Sequence, residues 1–361
     1  MSGGVLSGGV FASGTDDLTD LRQLADDIGE RSFQARIGHR ALPDPLDETA
    51  WRHLDEAGLT RLGSTEDAGA GAAEVAVILR SLARNGVTVP LAETDVQAGW
   101  LAGAAGVDVP ATGPLTVAHG DAVVDGDRLT ATVPGVPYAA DAAAVVLALR
   151  YGDRLLVAAC DPASLSINKG HNAGGEPRDT VDVHLPAAEF TAVDGDVAAE
   201  LFRRGAWARC MQIIGALDAA VEFSVAHTRE REQFGRPLSA FQAVQHTLAG
   251  MAGDVERARA AANLAVAAAQ DYGFAAPQTD YAVAAAKVTL GQVVPRIVTS
   301  AHQLHGAIGV TIEHRLWLAT MRARSWIGEF GDTAHWAYRL GRIALSGNDP
   351  WDVMIGNVGR D

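Results

Sequence analysis

The chain has 361 residues, 48% of them hydrophobic, and 29 Lys and Arg against 44 Asp and Glu give it a formal net charge of −15. That balance excludes broad electrostatic attraction to nucleic acid or anionic lipid, while leaving room for a local basic pocket. The length suits two or three domains around a sizeable core.

Residues 1–15 are rich in Gly and Ser and lack a basic start, so they read as a loose tail, or a segment that packs on a partner, and not as a signal peptide. From 16 to 105 the spacing predicts helices. Leu18, Leu21, Leu24 and Ile28 recur at helical intervals; Trp51, Leu54 and Ala57 mark a second helix closing near Gly58. Glu66 to Gly71 breaks the pattern, and Val75 to Leu82 resumes it.

From 106 to 194 the texture becomes β. Val123 to Leu129 reads as two strand ends joined by an Asp-Gly turn. Ala143 to Leu149 and Leu155 to Ala159, separated by Gly152-Asp153, form a second hairpin. Pro134, Pro137, Pro162 and Pro177 are expected in loops and at strand edges. From 195 to 361 long helices return. Trp207, Met211, Ile214 and Val221 share a face, with Asp218 as the polar exception. Phe241, Val244, Leu248, Met251 and Val255 form a packing seam, and Ala258 to Ala269 is small enough for close helix approach. Pro295 should end or kink the next helix, and two further helical stretches flank Ser325 to Asp332. A helical bundle follows.

Two motifs carry chemistry. Arg231-Glu232-Gln233-Phe234-Gly235-Arg236-Pro237-Leu238, followed by Phe241-Gln242, joins a guanidinium suited to a diphosphate with a Phe-Gly turn that lets a planar ligand approach. A polar interhelical turn with a hydrophobic staple is the alternative reading of the same string. Gln303-Leu304-His305-Gly306-Ala307-Ile308-Gly309 places two glycines where backbone amides are exposed and side-chain bulk is removed. A helix-terminating loop would also use them. His302 and His305 form a pair separated by three, with no further ligand spaced to complete a metal site. Cys160 and Cys210 lie apart in no ligand pattern, which fits a reducing cytoplasm. No apolar run reaches the ~18 residues of a membrane span.

Both motifs resemble those of the acyl-CoA dehydrogenase family, FAD flavoenzymes that desaturate acyl-CoA thioesters. The stretch from Trp51 to Thr94 is similar to that family's amino-terminal helical domain. The resemblance implies a mainly α fold with a small β domain: an N-terminal helical domain, a middle β domain and a C-terminal helical bundle. It assigns Arg231 to the FAD diphosphate, and Phe234, Phe241, Gln303, Gly306 and Ala307 to the nucleotide portion of an FAD on a neighbouring subunit. Ala307 stands where the family usually has a second Gly.

The chemistry also needs a carboxylate that removes the proton alpha to the thioester. The two positions the family uses fall here on Gly331 and Gly205, and glycine has no side chain to accept a proton. Glu329 and Asp332 are nearby substitutes; otherwise both are solvated or cap the final helix. The loops that hold the flavin ring in the β domain are absent, and Arg203 and Ala206 stand at altered CoA positions. The pattern resembles the degenerate subunit of heteromeric actinobacterial enzymes that act in lipid or steroid breakdown. That resemblance implies a sister subunit in an α2β2 complex, an acyl-CoA substrate, and an electron-transfer flavoprotein or similar acceptor. A homomeric enzyme using Glu329 or Asp332, and a flavin-free scaffold, are the alternatives.

Overall fold

The computed structural model describes residues 15–38, 41–65, 69–312, 314–346, 349 and 351. Apart from Thr15, the expected tail lies outside the described residues, as do Glu66, Asp67 and Ala68 of the acidic turn.

Helices α1 (Thr15–Ala35), α2 (Glu48–Glu56) and α3 (Ala72–Arg84) open the chain. Asp47 caps α2 by accepting the Ala50 N–H at 2.9 Å, and the side chains of Trp51 and Leu54 are buried beneath it. Gly58, with φ +71°, makes the left-handed turn after it. A π-helix over Ala92–Gly99 then runs into α4 (Trp100–Ala105). Its wider turn was not legible from spacing. It directs Glu93, Thr94, Asp95 and Gln97 into the interior together. Asp95 accepts the N–H groups of Gly63 and Ser64, and Thr94 Oγ1 bonds the N–H and carbonyl of Leu115.

Two four-stranded sheets follow. One has the order β1 (Leu115–Asp121), β4 (Ala144–Tyr151), β5 (Arg154–Cys160), β8 (Thr191–Val193), with β1 parallel to β4. The other has the order β2 (Val123–Asp125), β3 (Arg128–Pro137), β7 (Arg178–Pro186), β6 (Ser166–Asn168). Both expected hairpins occur: Asp125 pairs with Arg128, and β4 pairs antiparallel with β5. Val145, Leu147 and Leu149 face the second sheet, while Ala144, Val146 and Ala148 face the helices, so β4 is apolar on both sides. The placing of Pro134 in a loop or at an edge is corrected. It lies inside β3, at the register shift between Val133 and Val136, where a bulge removes the need for its missing ladder bond.

The bundle comprises α5 (Gly195–Glu230), α6 (Gln242–Tyr272), α7 (Pro277–His305), α8 (Arg315–Trp326) and α9 (Thr333–Ser346). A small hairpin, β9 (Glu232–Gln233) and β10 (Arg236–Pro237), separates α5 from α6. Of the expected end or kink at Pro295, the end does not occur: α7 runs through it. Val293, Val294, Ile297 and Val298 are all buried around the proline, so packing holds the helix across the lost hydrogen bond. One core joins α1–α3 to this bundle. Among the described residues no helix is long and apolar enough to cross a membrane.

α3 and α5 meet closely at Gly215, where an added Cβ would run into the Arg80 carbonyl. Backbone cannot swing aside as a side chain can. Gly215→Ala is therefore expected to destabilise the chain by about 1–3 kcal/mol, measured by urea unfolding; an unchanged midpoint would refute this contact.

Candidate functional site

The first motif begins where α5 stops. The Arg231 N–H still bonds the His227 carbonyl at 2.8 Å, and the Leu238 N–H returns to the Arg231 carbonyl at 2.8 Å. Between them the hairpin turns on Phe234 and Gly235, both left-handed at φ +56° and +77°. Gly235 accommodates this freely; Phe234 does not. Its ring is 91% exposed, so the isolated chain gains little burial from an aromatic held in a strained turn. Phe241 is half-buried, edge-on to Phe234 at 6.2 Å and under the Arg236 guanidinium at 4.1 Å. The Arg231 side chain is exposed, and no ion pair engages it among the described residues.

The second motif closes α7. Gln303 is exposed on the last turn, and Gly306 follows with φ +64° and ψ −143°, a backbone that glycine alone adopts readily. Ala307 is exposed, as are Ile308 and Val310. The fold brings the two motifs together. The His227 ring, one turn before Arg231, stacks on the His305 ring at 4.4 Å and 20°.

Gly205 and Gly331, where the resemblance expected a base, both lie against aromatic side chains. A Cβ on Gly205 would lie 2.5 Å from the Phe330 ring. A Cβ on Gly331 (φ +85°) would lie 2.8 Å from both His335 Cδ2 and Trp336 Nε1. Phe330 meets Phe202 at 6.0 Å and His119 at 5.5 Å, and Phe202 stacks on Trp336 at 5.9 Å. One aromatic cluster thus fills the space beside both glycines. A recess of about 240 Å³ remains against Phe330, lined by Val117, His119, the Val133–Pro137 bend and Glu329.

Glu329 is neither solvated nor a helix cap, which corrects that expectation. Its carboxylate accepts from Arg209 Nε at 2.6 Å and Arg178 Nε at 2.9 Å. Arg209 is wholly buried and reaches on to Glu93 at 2.6 Å and Gln212 at 2.6 Å. Arg178 reaches on to Glu176, which accepts the Trp326 indole N–H at 2.7 Å. Lys287 Nζ donates to the carbonyls of Ile327 and Glu329. Burial pushes the Glu329 carboxyl up, but the guanidiniums of Arg178 and Arg209 outweigh it and hold the group at about 2. Burial lowers the Lys287 ammonium to about 8. Asp332 is exposed; its Oδ1 accepts the His335 N–H at 2.8 Å and caps α9.

Arg203 is buried and paired with Asp280 at 3.1 Å, and Ala206 is fully buried. His302 bonds Thr320 and His305 bonds the Ala301 carbonyl; among the described residues no group of three or more His, Cys, Asp or Glu is placed to hold a metal. Cys160 and Cys210 are free and buried. Motif reading missed Glu93, Arg178 and Arg209. Arg209, set among Trp207, Cys210 and Met211, was the available signal: a charge inside an apolar helix needs a buried partner.

Glu329→Gln leaves two guanidiniums facing one another without their shared carboxylate. A loss of about 3–5 kcal/mol is expected on breaking such a buried pair, read by denaturant unfolding. Because the folded-state group titrates near 2 and the ordinary one at 4.5, its contribution is complete above about pH 4.5 and is lost as pH falls toward 2. The variant should lack that acid-dependent loss; identical stability–pH curves for the two proteins would contradict the assignment.

A family model described as "Acyl-CoA dehydrogenase, C-terminal domain" matches residues 194–330, the stretch containing α5 to α8. The acyl-CoA dehydrogenase IpdE2 of Mycolicibacterium smegmatis is 26% identical over 317 residues, 84% of this chain and 91% of that protein. The ChsE4-ChsE5 complex from Mycobacterium tuberculosis superposes with a TM-score of 0.80 at 22% identity, covering 92% of this chain and 98% of the other. A variant of the Tcur3481-Tcur3483 steroid ACAD gives 0.77 at 26% identity, covering 92% and 99%. Residues 194–330 thus match the acyl-CoA dehydrogenase C-terminal domain, and the chain as a whole has the fold of the acyl-CoA dehydrogenases it superposes on.

Proposed function

We propose that the chain is one subunit of an FAD-dependent acyl-CoA dehydrogenase, which desaturates an acyl-CoA thioester, and that the catalytic base sits on a sister subunit. The observation that carries this reading is the contrast between two halves of the molecule. Of the groups assigned to a nucleotide, Arg231, Phe234, Gln303, Gly306 and Ala307 are exposed, and Phe241 is half-buried under Arg236. The two places for a base are glycines walled in by aromatic side chains.

The donor set fits the tail of FAD. Arg231 offers paired N–H groups to a diphosphate, Phe234 and Phe241 offer ring faces, and Gln303, Gly306 and Ala307 offer an amide and open backbone. When bound, FAD takes the hydride that leaves the beta carbon. The inward half of this chain does not fit the reacting centre. Glu329 is tied to two arginines and held at about 2, so it is far too weak a base at neutral pH. Asp332 is committed to a helix cap. These arrangements favour the two-chain enzyme over a homomeric one. Two similar structures are by name assemblies of paired proteins, one called a steroid ACAD, which supports a sister chain and a lipid or steroid setting. Electrons would pass to an electron-transfer flavoprotein or similar acceptor, in the cytoplasm.

Flavin absorbance tests the reading. Yellow protein only when the sister chain is co-expressed supports it. A yellow, active chain on its own would establish the homomeric enzyme, and colourless protein in every mixture a scaffold. In the assembled complex, Arg231→Ala should weaken FAD retention by about 1.5–3 kcal/mol through loss of a charge-assisted contact; equal retention would remove Arg231 from the clasp. Gly331→Glu should leave the isolated chain without desaturation, since His335 and Trp336 occupy the space that the new side chain needs. Measurable turnover by that variant alone would overturn the proposal.

A further inference from the structure

Beneath the two outward motifs, α5, α7 and the start of α8 meet at four imidazoles. His305 is 6% exposed; it stacks on His227 at 4.4 Å and meets His314 edge-on at 5.3 Å. The hydrogen bonds settle where the protons are. His305 Nδ1 faces the Ala301 carbonyl at 2.8 Å, and a carbonyl only accepts, so Nδ1 carries a hydrogen and, in the neutral ring, Nε2 is a bare lone pair. Among the described residues that Nε2 has no partner. Thr320 spends its hydroxyl hydrogen on the Leu316 carbonyl, so His302 Nε2 donates to Thr320 and His302 Nδ1 is bare and unpartnered. His314 Nδ1 accepts the Leu316 N–H at 3.1 Å and caps α8. His314 is thereby written into the neutral state by its own bond, and a proton on His305 Nε2 or His302 Nδ1 would be a buried donor with no acceptor among the described residues.

The charges around them agree. Arg231 faces His227, opposed by Glu230 on the same element, and Arg324 of α8 faces His302. Among the described residues no carboxylate forms an ion pair with any of the four rings; Glu313, next to His314, lies outside the described residues. A proton arriving here would put a cation against stacked imidazoles, near Arg231 and Arg324, or would remove the α8 cap.

We infer that the His227–His305 stack is the pin that holds the Arg231 hairpin and the Gln303 turn in register, and that a proton entering this cluster releases it. His227 and His305 are positioning residues, one step behind the groups that would touch a nucleotide. The inference rests on the proposed clasp for its function, but its physical content is the register of two segments within this chain. Burial leads the causes that lower all four imidazoles, and it takes His305 to about 4. A base whose folded-state value is lowered contributes stability in full above its ordinary value of 6.5 and loses it as pH falls toward 4.

Hydrogen exchange of the full chain, corrected for intrinsic rates, tests this in peptides covering 228–241 and 303–314. Between pH 7.5 and 5.0 protection of both peptides should fall about thirtyfold in the wild type, the factor expected from one imidazole shifted this far. His305→Phe keeps a stacked ring without a titrating one, and the fall should shrink to about threefold or less. His227→Phe serves as a second variant should the first fold poorly, with the same expectation of a reduced fall. A wild type that stays protected, or variants that open as the wild type does, would overturn the inference. Flavin retention by the assembled complex at the two pH values is a separate readout: no flavin at pH 7.5 counts against the clasp itself and leaves the exchange result standing.

Discussion

The structure depends on one buried guanidinium. Arg209 has no exposed surface, and a charge taken out of water costs several kcal/mol unless it is paired and hydrogen-bonded. It is answered from two directions, by Glu93 of the π-helix and by Glu329 of the segment before α9. Glu329 then answers Arg178 of β7, and Arg178 answers Glu176, which holds the Trp326 indole. Five charges of alternating sign therefore run from the first helical region, through the bundle, into the sheets. Removing any inner member strands its neighbours, so the chain of pairs fixes how the three regions meet.

That constraint shapes the interior. With Glu329 tied down by Arg178 and Arg209, and its carbonyl held by Lys287, Phe330 is set in a left-handed conformation with its ring against Gly205. Gly331 follows at φ +85° under His335 and Trp336. The aromatic cluster and the ion-pair chain occupy the region in which a base would have to stand. Outside, the economy is reversed. Arg231 and Gln303 are solvated, and Phe234 is solvated and strained. On the proposed reading, a chain closed within and open without assists chemistry on a neighbour.

Much of this was legible in the sequence where local rules apply. Helical spacing placed α1, α2 and α3, the Asp-Gly and Gly-Asp turns placed both hairpins, and the mainly α fold with a small β domain followed from the resemblance. Non-local pairing was not legible. The strands β1 and β7 were not placed by local spacing, and the parallel β1–β4 ladder joins segments separated by β2 and β3. Pro134 and Pro295 were read by their local effect; a bulge accommodates the first within β3, and α7 continues through the second. At the candidate site, the glycines at 205 and 331 were legible as positions without a side chain, but not that Phe330, His335 and Trp336 pack beside them. Glu329 could be named as an acid, yet its partners lie 120 and 151 residues away in sequence, beyond any motif.

Native mass spectrometry of the complex assembled with its sister chain tests the central claim most directly, by counting prosthetic groups. The account predicts one FAD for every two polypeptides, because only one of the two chains can seat a flavin head. One FAD for each polypeptide would contradict it, since this chain would then be holding a complete cofactor of its own.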